Sequence, residues 1–118
     1  DMKKLLAAAV ALAIFVCCGN SVSEKARAAL KQNIEVYESA IEELRGVKTE
    51  GEMAVVVENT AHRIDELRET EEWKAYISVA ESNDNKALED IKPSQEAMRN
   101  AALEFARVLG EVAYEIAQ

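Results

Sequence analysis

One periodicity fixes what the C-terminal third of this chain can become. Met98, Ala102, Phe105, Leu109, Val112 and Ile116 recur at intervals of 4, 3, 4, 3 and 4 residues. An α-helix turns once in ~3.6 residues, so this spacing lines one face of a helix and neither face of a strand. The same rhythm places Leu30, Ile34, Tyr37, Ile41 and Leu44 on one face. It returns at Met53, Val57, Thr60, Ile64 and Leu67, with Val56 and Ala61 widening the stripe. A shorter stripe begins at Trp73 and continues through Ile77 and Ala80, with Tyr76 beside it. Only 4 Gly and 1 Pro interrupt the 118 residues, which disfavours a turn-rich β architecture.

Local signals bound these segments. Ser21 or Ser23 can cap the first helix, and Gly46 after Arg45 fits its end. Thr49 with Glu52 three residues on is a capping-box pattern. Val55-Val56-Val57 is β-branched, but the helical period continues through it, so it reads as helix. The phase breaks over Arg68–Glu72, so the stripe from Trp73 belongs to a third, shorter helix or to a kinked continuation of the second. Ser82-Asn83-Asp84-Asn85 reads as a loop, after which Leu88 and Ile91 pin the chain to the core. Pro93 and Ser94 are expected to open the last helix, because Pro is tolerated in a first turn. Helices are therefore expected over 22–45, 50–69, 71–81 and 94–117. The fold class is all-α, an up-down four-helix bundle over residues 19–118 that follows an N-terminal segment of residues 1–18. Its expected core includes Ile34, Tyr37, Ile41, Leu44, Val57, Ile64, Leu67, Phe105, Leu109, Val112 and Ile116. A second strip on the last helix, Leu103, Ala106, Gly110 and Tyr114, is expected to widen the core face. The alternative is a contact surface for a partner or a second copy.

The N-terminal segment has a different character. Lys3 and Lys4 precede an unbroken apolar run, Leu5 to Val16, and then come Cys17, Cys18, Gly19 and Asn20. A basic head, an apolar run of ~7–15 residues and a small-residue exit describe a secretory signal. A run of 12 residues is short of the ~20 a spanning helix needs. Over residues 2–20 the chain resembles the bacterial lipoprotein signal, in which a cysteine ends the apolar run and becomes the lipidated N-terminus. The usual box of Leu, a small residue, Gly or Ala, then Cys is matched loosely by Ile14-Phe15-Val16-Cys17-Cys18. The resemblance implies lipidation at Cys18, which follows the small Cys17, or else at Cys17, which follows the branched Val16. Three other readings stay open: a signal cut near Gly19 to Ser21 without lipid, an uncleaved anchor, and a strained Cys17–Cys18 disulfide. No other cysteine exists, so the folded part is neither a disulfide scaffold nor a Cys-ligated zinc site.

Charge narrows the partners. Residues 21–118 hold 12 basic and 21 acidic side chains, a net charge of −9. Such a domain is a poor match for nucleic acid and is repelled by anionic headgroups. Its membrane contact is therefore expected through an N-terminal lipid carrying acyl chains such as palmitate.

Catalytic arrangements are hard to assemble from this composition. The single histidine, His62, excludes HExxH zinc and twin Glu-x-x-His di-iron patterns, and Glu58, His62, Asp65 and Glu66 read as a solvated face. Ser21, Ser23, Ser39, Ser78, Ser82 and Ser94 have no neighbouring base, G-x-S-x-G is absent, and Gly19, Gly46, Gly51 and Gly110 never cluster into a phosphate loop. Adjacent acids such as Glu42-Glu43 point in different directions on a helix. The exported four-helix cytochromes hold haem between a Met near the start of the first helix and a His in the last, and neither is present here. The expectation is a non-enzymatic envelope protein without a cofactor, on the non-cytoplasmic side. Its role would be structural or in protein interaction, through a partner or self-association. The alternative is a periplasmic carrier of a small ligand, haem or metal.

Overall fold

The computed structural model describes residues 21–118, which form four helices and no strand. These are α1 (Ser21–Leu44), α2 (Glu50–Leu67), α3 (Glu71–Ala80) and α4 (Asn85–Ala117). The fold is an all-α helical bundle, as the periodicities require.

The starts of α2, α3 and α4 each have a chemical cause. Thr49 Oγ1 accepts from the Glu52 amide at 3.1 Å and donates to Glu52 Oε1 at 3.1 Å, and Glu52 Oε1 also accepts from the Lys48 amide at 3.3 Å, so the expected capping box forms with its return bond one residue before the cap. Thr70 Oγ1 accepts from the Trp73 amide at 3.2 Å and donates to the Leu67 carbonyl at 2.6 Å, so one side chain ends α2 and opens α3. Asp84 Oδ1 accepts from the Lys86 and Ala87 amides, both at 3.1 Å, and opens α4. At the end of α1 the chain tightens into shorter turns, with Gly46 N–H donating to Glu43 O and Val47 N–H to Leu44 O, each at 3.1 Å. Gly46 keeps a negative φ, so the stop comes from these turns and not from a left-handed glycine.

Two apolar clusters hold the bundle together. The first joins Ala40, Ile41 and Leu44 of α1 to Val56 of α2 and to Val108 and Val112 of α4. The second joins Ala26 and Leu30 of α1 to Val79 of α3 and Ile91 of α4. The end of α1 thus meets the start of α2 and the C-terminal half of α4. Its beginning meets the end of α3 and the start of α4. The chain runs up through α1, down through α2 and α3 in succession, and up again through α4, parallel to α1. α1 packs against all three other helices, which touch one another at few points. Between the clusters the Tyr37 and Phe105 rings meet at 5.8 Å, and Gln95 Nε2 donates to the Tyr76 hydroxyl at 3.2 Å.

Three expectations are corrected. The last helix begins at Asn85, and Pro93 lies inside it, past the second turn. A proline there cannot donate to the Glu89 carbonyl and crowds it. Ile91, fully buried just before the proline, and Met98, packed just after it, hold the helix on α1 through the interruption. Second, the valine run in α2 is turned by one residue. Val56 is buried at 8%, while Val57 is 37% exposed. Three adjacent valines offer three directions, and the small Ala40 on α1 leaves room for Val56. Third, α3 turns Val79 inward and leaves Ile77 and Ala80 exposed. Of the remaining expected core, Ile41, Leu44 and Val112 are buried. Ile34, Tyr37, Ile64, Leu67, Phe105, Leu109 and Ile116 are half-buried.

Two substitutions test this packing. Ile91→Ala removes one of the largest fully enclosed side chains and is expected to lower stability by about 2–5 kcal/mol in urea unfolding. Pro93→Ala, at an exposed position, restores the amide donor and is expected to raise stability by about 1–3 kcal/mol. A loss of stability in Pro93→Ala would show that the proline ring favours the seating of Ile91 by more than the missing donor costs.

Candidate functional site

Cys17 and Cys18, the expected lipidation sites, lie outside the described residues. Within the bundle, buried polar groups are the first candidates for a site. Asn33 lies on the core face of α1, only 3% exposed, and its Nδ2 donates to the Ala29 carbonyl at 2.9 Å. Thr60 on α2 is 5% exposed and donates to the Val56 carbonyl at 2.7 Å. Both bonds stay within the residue's own helix, so these groups satisfy themselves and do not converge on a ligand. The Gln32 side-chain oxygen is enclosed with no hydrogen bond. The apolar periodicity marks none of the three as a site, although a polar residue between Leu30 and Tyr37 on the core stripe is the visible signal for Asn33.

The recesses are shallow and lie at the surface. One of about 320 Å³ opens at the N-terminal end of the bundle, between Val22, Ser23, Ser78, Ser82 and Asp84. Two of its polar groups already serve turns: Ser82 Oγ donates to the Val79 carbonyl, and the Asp84 carboxylate caps α4. Another of about 480 Å³ lies along α1 and α4, with Ala28, Ile34, Pro93 and Ala97 as its apolar wall and Arg27 and Lys31 at its edge. The first recess has lost Ser82 and Asp84 to those local bonds, and the second has a mainly apolar wall, whereas a small-ligand site needs several polar groups free to converge. Among the described residues no group of three or more His, Cys, Asp or Glu could hold a metal ion. His62 Nε2 meets Glu66 Oε1 at 2.8 Å with both side chains well exposed, and Glu58 and Asp65 do not join them.

No family model, curated protein or solved structure matches this chain.

The most distinctive surface is the back of α4. Leu103 is 58% exposed and Tyr114 is 68% exposed, and Ala106 and Gly110 between them are exposed as well. The expectation that this strip widens the core is overturned. Val108, Val112 and Ile91 set the inward direction of α4, and the strip lies on the far side of the helix from them. Beside it, Arg107 bonds both Glu104 and Glu111 one turn away in either direction. Arg107 Nε donates to Glu104 Oε2 at 3.0 Å, and this bond holds the Glu104 carboxyl below the usual carboxylate range. The same bond and the charges of Glu104 and Glu111 raise the Arg107 pKa. No helix among the described residues is long and apolar enough to cross a membrane.

His62→Ala checks the reading of the acidic patch. An exposed i,i+4 pair contributes only ~0.2–0.5 kcal/mol, so the unfolding free energy is expected to move by less than ~1 kcal/mol. Loss of a metal bound by the wild-type chain, measured by elemental analysis of the variant, would make His62 a ligand.

Proposed function

We propose that this chain is a lipid-anchored protein of the bacterial envelope, held on the non-cytoplasmic side through Cys18, or else Cys17. Its helical bundle serves a structural or protein-interaction role there and not a catalytic one. The observation that carries this reading is the order of residues around the cysteines. Lys3-Lys4 and the apolar run Leu5–Val16 lead directly to Cys17-Cys18, and α1 starts at Ser21. Two residues separate Cys18 from that helix, so a lipid on Cys18 would hold the start of α1 within ~10 Å of the bilayer surface. The bundle's charge of −9 gives it no electrostatic grip on anionic lipid. Each buried CH₂ of an acyl chain contributes ~0.8 kcal/mol, and stable attachment takes more than one chain. A diacylglyceryl cysteine with a further acyl group would meet that need.

The bundle's interior supports an interaction role over a carrier role. The buried Asn33 and Thr60 bond within their own helices, while the two most exposed large hydrophobic side chains, Leu103 and Tyr114, stand on the back of α4. Exposed apolar surface of that kind is what partner contact uses.

Intact mass spectrometry of protein extracted from membranes of the native host tests the anchorage. The expected mature chain begins at Cys18, or at Cys17, and carries lipid mass. Cys18→Ala should leave an unprocessed precursor or release the bundle to the soluble fraction. A lipid-free chain beginning between Asn20 and Val22 and recovered without detergent would defeat the proposal.

A further inference from the structure

We infer that the back of α4 is a self-association surface on which two copies of this chain pair helix to helix, antiparallel, about a two-fold axis at Val108–Leu109. The inference deepens the interaction role proposed above, and rests on that reading only for the anchorage that brings the chains together.

The first observation is a glycine without a reason inside one chain. Gly110 sits well within a long helix and has no positive φ. A Cβ built on it would meet nothing within 4 Å. Alanine there would improve helix propensity by ~1 kcal/mol and clash with nothing in the monomer. A glycine on a helix surface allows another backbone to come close, and Ala106 one turn earlier extends the shallow floor. Leu103 stands at one end of this floor and Tyr114 at the other, both more than half exposed.

The second observation is the register. In an antiparallel two-fold pair, any two residues equidistant from the axis face each other across the interface. The midpoints of Leu103 and Tyr114, of Ala106 and Gly110, and of Arg107 and Glu111 all fall on the same turn, Val108–Leu109. One axis therefore sets Leu103 against the second copy's Tyr114 and lays the two small-residue floors over each other. It also brings Arg107 opposite the second copy's Glu111.

The third is charge. Arg107 and Glu111 lie on one flank of the strip and are bonded within the chain. Antiparallel pairing puts like flanks together, so two Arg107 and two Glu111 close into a ring of alternating sign. Parallel pairing would turn this flank of the two copies to opposite sides of the interface, where no such ring can close. A foreign partner would need none of this symmetry about one point. A second copy needs all of it.

Size sets the strength. The strip from Leu103 to Tyr114 spans only ~17 Å of one helix, about three turns, so the area it can bury falls short of the ~800 Å² per partner of a stable complex. Pairing is therefore weak between free chains and depends on chains confined to one surface, where the effective concentration is high.

The test places a benzophenone amino acid at Ala106 of the full chain in cells of the native host, using a mixture of heavy-isotope-labelled and unlabelled chains. Illumination should give a product of twice the chain mass containing one heavy and one light copy. Its cross-links should map to the second copy between Leu103 and Tyr114. Gly110→Leu should cut this product by about tenfold or more. Arg107→Glu should also reduce it, and Arg107→Glu with Glu111→Arg should restore it. Circular dichroism and melting of each variant separate lost pairing from lost folding. The inference is overturned by the absence of a doubled product, by cross-links outside Leu103–Tyr114, by cross-links to other proteins alone, or by full yield in Gly110→Leu. The mass of the same uncross-linked chain reports its lipid independently. Pairing without lipid mass defeats the anchorage and leaves the interface standing, and lipid mass without pairing does the reverse.

Discussion

Burial of α1 is the interaction on which the rest of this bundle depends. Both apolar clusters are built on it, and the other helices have few contacts without it. Its core face alternates large and small residues: Ala26, Ala29 and Leu30 near the start, Ala40, Ile41 and Leu44 near the end. The alanines let neighbouring helices approach closely, and the large residues fill what the approach leaves open. Leu30, Leu44 and Ile91 are the largest side chains wholly removed from water, each contributing ~1.5–3 kcal/mol. With so few of them, the fold relies on all the smaller contacts along the same helix.

Two buried polar residues, Asn33 of α1 and Thr60 of α2, have a simple explanation. Asn33 falls between the two clusters, and Thr60 falls at the inner edge of the first. A buried polar group without a partner would cost ~1–3 kcal/mol, and both avoid this by bonding a carbonyl one turn back. Because those bonds are local, they ask nothing of the facing helix. The middle of the bundle is consequently held by ring contact between Tyr37 and Phe105 more than by polar pairing.

Helix existence was legible in the sequence because the apolar period is regular and the caps are short-range chemistry. Thr49 and Glu52 announced α2 before any packing was known. Asp84 carried an equally good capping signal, but Ser82-Asn83-Asp84-Asn85 looked like loop and Pro93 looked like a start. Tertiary contact through Ile91 outweighed the proline, and no local rule contains that contact. The rotation of α2 toward Val56 has the same origin, since the choice among three valines is made by the room beside Ala40 of α1. On α4, amphipathicity alone could not say whether Leu103, Ala106, Gly110 and Tyr114 continue the core or stand opposite it. That depends on Val108, which the 4-and-3 stripe skips. Cys17 and Cys18 are legible only as part of a pattern of residue types, because they lie outside the described residues.

The division of the core gives the molecule unequal parts. α2 belongs only to the first cluster and α3 only to the second, whereas α1 and α4 run through both. The two long parallel helices thus form a spine, and the shorter pair are separate flaps laid along it, joined at Thr70. Lifting one flap would wet one cluster and leave the other dry. Cooperativity between the halves then passes along the spine and through a single threonine, so opening need not be all-or-none.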